Sequence, residues 1–235
     1  MLHAACLISD GQKLIPAYDN EPSVTQTSYH FHKLFMKCAG YALEFDTSAD
    51  SHYDATGLGR VHKEGAPSPI CISQSCPSHP DFAIDIEPRA VSLCSGVKIG
   101  DSYVFLADTE EPMRLISTDK SETQVSASFE CFFSDGRGVK ESYTLAENGV
   151  RIAAEGDGEI AYMLPAFAYD GEKNTEIKLS QNVLTISYEG YMCRYTASGK
   201  IFDLRRIGAG RNGHYKAYAV SGDGCLRVNI EILKN

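Results

Sequence analysis

The stretch that decides the fold runs from residue 122 to 165, ETQVSASFECFFSDGRGVKESYTLAENGVRIAAEGDGEIAYMLP. Short apolar and period-two runs, rich in β-branched and aromatic residues, alternate in it with Asp135-Gly136-Arg137-Gly138, Glu147-Asn148-Gly149 and Gly156-Asp157-Gly158. Asn-Gly and Asp-Gly pairs supply the positive φ angles that tight hairpins need. The stretch therefore predicts antiparallel strands over 122–133, 139–146, 149–155 and 159–165. The same grammar continues downstream, with strands predicted over 176–180, 183–188, 191–196, 200–204, 214–221 and 225–233 and turns at Glu189-Gly190, Ser198-Gly199 and Gly222-Asp223-Gly224. Upstream it predicts strands over 42–45, 70–73, 91–94 and 103–107. No segment keeps a 3.6-residue apolar period beyond about two turns. The expectation is an all-β fold, a large antiparallel two-sheet β-sandwich of supersandwich-like size, with a barrel as the alternative.

Residues 1–28 read as an N-terminal linker or leading strand and 29–235 as the sandwich domain. Within the latter, 71–88 holds Pro77, Pro80 and Pro88. Proline removes ladder donors, so this segment is expected as a surface loop between the first strands and the main sandwich. At 235 residues the chain can bury a sizeable core without staples. Its net charge of −9 argues against nucleic acid and anionic membranes as main partners. The N-terminus has no basic region, and the apolar run of residues 4–8, near His3 and Cys6, is short for a leader. A cytoplasmic location is expected if the chain is whole, and an excised domain is the alternative. Of the eight cysteines, Cys71 and Cys76 come nearest to a paired spacing and none forms CxxC. Several, including Cys131, Cys193 and Cys225, sit in apolar strand-like runs and are expected as buried thiols.

Candidate chemistry begins at His30-Phe31-His32. On an extended strand, side chains two apart share a face, so the imidazoles could converge on one ligand. Asp46 ends the following strand, and His62 comes after a turn. Imidazoles with one carboxylate suit zinc, with His32, Asp46 and His62 as the ligand set. The segment Tyr53-Asp54-Ala55-Thr56-Gly57-Leu58-Gly59-Arg60 reads as a glycine-shaped loop whose backbone approaches a ligand. A Tyr near Arg60 and a His suits β-elimination from a uronic acid, with Arg neutralising the carboxylate and Tyr53 or His30 taking the proton. The opposite reading is a structural loop in which Asp54 caps a turn. Further on, Gly208-Ala209-Gly210-Arg211-Asn212-Gly213-His214 lacks the helix a phosphate loop requires, which leaves Arg211, Asn212 and His214 as sugar-facing candidates. His52 and His79 read as solvated loop residues. Thirteen Tyr and no Trp leave sugar stacking to Tyr and Phe.

The order HxH, strand, strand-end Asp46, Tyr-bearing turn, then Arg60 and His62 resembles the C-terminal β-sandwich of heparinase II/III-like polysaccharide lyases. In that family a helical toroid precedes the sandwich, and the sandwich carries an HxH segment near the substrate cleft and a structural zinc. The resemblance implies roles for His30 and Arg60 in a polysaccharide cleft and for His32, Asp46 and His62 around zinc. Lys33 and Lys63 stand where the family usually has an acidic residue and an Asn. The toroid, which supplies the family's catalytic Tyr and another His, has no counterpart here. The resemblance thus implies one component of a lyase, acting on uronic-acid glycans only together with a toroid domain or subunit. A non-catalytic sandwich that binds glycans or protein is the competing expectation, and a self-contained mutarotase-like sugar enzyme a third. A sandwich face left by a missing partner domain is expected to be apolar and to favour a homodimer.

Overall fold

The computed structural model describes residues 21–28, 30–80, 83 and 86–235. His3, Cys6 and Tyr29 lie outside the described residues. The chain forms strands β1 (Ser23–Gln26), β2 (Lys33–Cys38), β3 (Tyr41–Asp46), β4 (Gly57–Lys63), β5 (Ser95–Ile99), β6 (Ser102–Phe105) and β7 (Met113–Lys120). Then follow β8 (Gln124–Phe132), β9 (Gly138–Ala146), β10 (Gly149–Tyr169), β11 (Glu176–Ser180), β12 (Val183–Tyr188), β13 (Tyr191–Ala197), β14 (Ile201–Gly210) and β15 (Gly213–Lys234). Two antiparallel sheets result: a four-stranded meander β1-β2-β3-β4, and an eleven-stranded sheet ordered β11-β12-β13-β15-β10-β9-β8-β7 with β14 on β15 and β5–β6 on β10. The two-sheet, all-β architecture is the one the hairpin grammar predicts.

Period-two alternation builds the core. Val125, Ala127, Phe129 and Cys131 of β8 point inward, as do Val139, Tyr143 and Leu145 of β9. They meet Leu34 and Met36 of β2 and Leu43 and Phe45 of β3. Phe45 packs 5.0 Å from the Phe129 ring and edge-on to Tyr143 at 4.7 Å. Edge-to-face pairs of this kind add about 1 kcal/mol beyond simple burial.

Two predicted hairpins are absent. Gly156-Asp157-Gly158 and Gly222-Asp223-Gly224 are not turns. They face each other as one paired irregularity, with Glu155 opposite Cys225 and Glu159 opposite Asp223, inside the continuous strands β10 and β15. The glycines with positive φ there, Gly158 and Gly224, bend both strands without ending them. β10 also runs past Pro165, where a strand end is expected. Met163 N donates to Cys94 O on the side away from β15, and a proline two residues on would point its missing N–H the same way, where β5 has already stopped pairing.

The first part of the proline-rich stretch, residues 71–77, is largely buried and not a surface loop. Ile70, Cys71, Ile72 and Cys76 are fully buried. Isolated bridges from Val61 to Ile72, Cys76 to Val91 and Leu58 to Leu93 stitch the segment between the sheets. These bridges, with single bonds such as His79 N to Ser51 O and Ser73 N to the Tyr215 hydroxyl, anchor its backbone without a ladder. Of the described cysteines, all seven are free thiols and six are buried. Cys225 is the exception to the expected burial, because the outward phase of β15 exposes it.

Candidate functional site

Positions of the HxH residues follow from the turn that precedes β2. His30 is exposed in that turn, and His32 has a φ of 50°, left-handed backbone. The segment is therefore not extended, and the same-face argument for His30 and His32 does not hold. Lys33, next in the chain, opens β2 opposite Asp46. Its ammonium ion-pairs with Asp46 and Glu44, the latter at 3.1 Å, and approaches Asp54 at 3.6 Å. Arg60 completes the cluster at 3.4 Å from Glu44. Asp46, 4% exposed, also accepts from Ser75 Oγ at 2.8 Å.

Those partners occupy the carboxylate expected to bind metal. His62 lies opposite Ala42, at the other end of β3 from Asp46, roughly 13 Å away at the usual rise per residue. Burial, then the neighbouring Arg60 charge, holds its imidazole below the ordinary pKa, with Glu64 acting the other way. Among the described residues no group of three or more His, Cys, Asp or Glu could hold a metal ion. His32, Asp46 and His62 thus do not fit one zinc ion in this arrangement, and no chemistry is derived through it.

Gly57 and Gly59 lie within β4 and not in a loop. A Cβ on Gly57 would meet Ser92 Oγ at 2.4 Å, and one on Gly59 would meet Asp46 Oδ2 at 2.7 Å. These glycines let the chain approach itself, which accounts for their place in the sequence without a ligand. Tyr53 projects from the 50–54 turn, 73% exposed, and Asp54 Oδ1 accepts from Asp50 N at 2.7 Å, closing that turn as a cap.

A second group of predicted residues does come together. Arg211, Asn212 and His214 line one cleft at the β14–β15 hairpin, about 450 Å³, with Ala83, Ile86 and Asp170. The tight hairpin places Gly210 opposite Gly213 and turns Arg211 and Asn212 to solvent. Gly213, at φ 127°, would put a Cβ 1.9 Å from Tyr169 O, so only glycine closes the turn. The His214 ring lies 5.6 Å from that of Tyr169.

Ser73 joins this cleft to Arg60. Arg60 Nε donates to Ser73 O at 2.7 Å, and Asn212 Nδ2 donates to Ser73 Oγ at 2.9 Å. Beneath them the buried Tyr215 hydroxyl contacts Ser73 Oγ at 3.0 Å, accepts from Ser73 N and donates to Pro69 O. Burial pushes the Tyr215 phenol up, so it stays a neutral donor. Arg60, Asn212 and Arg211 therefore share one seam between the sheets, although 150 residues separate them in sequence. Sequence reasoning missed Ser73, Ser75 and Lys33. Only the period-two spacing of the serines hints at them, and their partners are too distant in sequence to be read locally.

No protein-family model and no curated protein matches the sequence. Solved structures do. The heparan sulfate lyase HepC from Pedobacter heparinus aligns with a TM-score of 0.61 at 5% identity, over 87% of this chain and 36% of that one. A 4-alpha-glucanotransferase from Thermococcus litoralis aligns at 0.55 and 10% identity, over 93% of this chain and 40% of that one. The likeness is one of fold. This chain spans little more than a third of those two proteins. A putative mutarotase (YeaD) from Salmonella typhimurium is matched almost end to end, at TM-score 0.52 and 10% identity, over 91% of this chain and 97% of that one.

Proposed function

We propose that this chain is the polysaccharide-facing β-sandwich of a heparinase II/III-like assembly, binding acidic glycan along the Arg60–Ser73–Asn212 seam and supplying no complete elimination chemistry by itself. The observation that carries the reading is Ser73, which draws Arg60 and Asn212 to one place beside the Arg211 and His214 cleft. Two guanidiniums, an amide and an imidazole offer donors to carboxylates and sugar hydroxyls. Elimination also needs a base poised at the C5 proton. His30 and Tyr53 sit in exposed turns and do not line that cleft, so the base in this reading comes from a toroid domain or subunit. The fold shared with HepC supports this division of labour, and the glycan is the class of substrate that protein's name states.

The test is binding and product formation with the chain alone. An oligogalacturonate should bind wild type, bind about tenfold more weakly to Arg211→Ala/Asn212→Ala, and yield no unsaturated product by ultraviolet absorbance. Unsaturated uronate released by the chain alone would overturn the division of labour. Undiminished binding by the double variant would remove the seam from the reading.

A further inference from the structure

We propose that the outward face of the large sheet is a second glycan-binding surface, selective for acidic saccharides and centred on Arg151 and Arg227. It deepens the glycan-binding reading above but uses none of the residues of the hairpin cleft.

Strand alternation and register generate this face. Ser126, Thr144, Arg151, Asn229 and Thr196 form one row across β8, β9, β10, β15 and β13. Ser128, Ser142, Ala153 and Arg227 form the next. Both arginines are exposed, and among the described residues neither guanidinium has an ion pair or hydrogen bond. They are diagonal neighbours, Arg151 opposite Asn229 and Arg227 opposite Ala153, so their Cβ atoms lie roughly 7–8 Å apart and both side chains can reach one anion. The charges of the flanking rows are balanced. Arg194 pairs with Glu231 at 2.8 Å, and Arg114, Glu130, Lys140 and Glu155 alternate in sign across β7, β8, β9 and β10.

Charge complementarity selects the occupant. On a chain of net charge −9, an ordinary solvated sheet face would carry long side chains of both signs. From β8 to β13 the only charges in these two rows are the two arginines, Asp119 standing at the β7 edge opposite Ser126, and they are set among short hydroxyl and amide side chains, above a depression of about 410 Å³ bordered by Gln124, Thr144, Arg151, Arg227 and Asn229. Guanidinium forks match carboxylate or sulfate, and the short hydroxyls and amides match sugar hydroxyls. The rows hold no aromatic ring for bases to stack on, which disfavours single-stranded nucleic acid. Apart from Asp119 at the β7 edge they hold no His, Asp, Glu or Tyr, so no proton-transfer group stands beside the arginines and the face binds without chemistry.

The experiment titrates four labelled probes of equal length: oligogalacturonate, sulfated dextran, neutral dextran and oligo-dT. Each is tested on wild type, on Arg151→Gln/Arg227→Gln and on Arg211→Ala/Asn212→Ala, with circular dichroism to verify the fold. An acidic saccharide should bind wild type, weaken at least about tenfold in the Arg151/Arg227 variant, and weaken with added salt. Neutral dextran should not bind. Whichever acidic probe binds tighter identifies carboxylate or sulfate as the recognised group. Unchanged binding in the Arg151/Arg227 variant overturns the inference, as does oligo-dT binding as tightly as the saccharides. Loss confined to the Arg211/Asn212 variant leaves the seam standing and removes this face, and loss confined to the Arg151/Arg227 variant does the reverse.

Discussion

The two faces of β8, β9 and β10 are built from the same strands by the same alternation, yet they treat charge in opposite ways. On the inner face stands one ionisable carboxyl, Glu141, fully buried. Ser95 N donates to it at 2.6 Å and Tyr143 OH at 2.5 Å, and Tyr143 in turn contacts Tyr162 OH at 2.9 Å. One residue along β9, on the outer face, Ser142 Oγ meets Ser128 Oγ at 3.1 Å, with Arg227 two strands away in the same row. The inner carboxyl is held by two donors, Ser95 N and the Tyr143 hydroxyl, inside a dry core, where an unmet polar group is costly. The outer charges meet water and remain available to a partner. Strand phase, and not residue type, separates groups that specify the fold from groups that can recognise a ligand.

The largest effect should come from emptying the inner face. Phe129→Ala removes a fully buried ring packed on Phe45 and Tyr143 and should lower unfolding stability by about 3–5 kcal/mol in denaturant titration. A loss below 1 kcal/mol would mean the two sheets are not joined there.

A smaller and pH-dependent effect should follow from Glu141→Gln. Burial holds the Glu141 carboxyl above its ordinary value, against the donors from Ser95 and Tyr143. The folded protein therefore keeps this proton more tightly than the unfolded chain does. The associated stability is whole below the unfolded value, about 4.3, and is lost as pH rises through the folded pKa. Between pH 4 and pH 8 wild type should lose more stability than Glu141→Gln. Parallel Tm profiles for the two proteins would show that the inner carboxyl is not set apart by its burial.

The smallest effect belongs to the outer face. Ser128→Ala lies one residue from Phe129, and unfolding stability should change by no more than about 0.5 kcal/mol. A loss above 1 kcal/mol would make the outer rows part of the scaffold and blunt the contrast.

Much of the sandwich was legible. The strands predicted over 139–146, 183–188 and 191–196 nearly coincide with β9, β12 and β13, because Asn-Gly and Glu-Gly turns confine the register at their ends. Sequence alone predicts a loop where β4 forms, since Gly57 and Gly59 carry the local signature of one. Those glycines answer to Ser92 and Asp46, which no local window contains. The same holds for Gly156-Asp157-Gly158, where an identical turn signature on the neighbouring strand converts two hairpins into one bend. Of the candidate site, Arg211, Asn212 and His214 were found together by their shared hairpin. His30 and His32 do not share a strand face, because the left-handed φ at His32 breaks the extended backbone there.

The exposed apolar side chains show the same division. Phe31, Tyr53, Ile99, Ile116, Phe132, Leu179 and Ile207 are exposed on separate segments, a scatter the sequence does not reveal. Likewise, among the described residues no helix is long and apolar enough to cross a membrane.

By itself the sequence determined the all-β class, the antiparallel pairing and the inward phase of most strands, because alternation and turn chemistry act within a few residues. Only the tertiary structure decided that Lys33 claims Asp46, that Ser73 draws Arg60 to Asn212, and that Arg151 and Arg227 share a diagonal on one face. Each of these depends on which strands become neighbours across many residues, and that choice is made by burial of the whole core and not by any local preference.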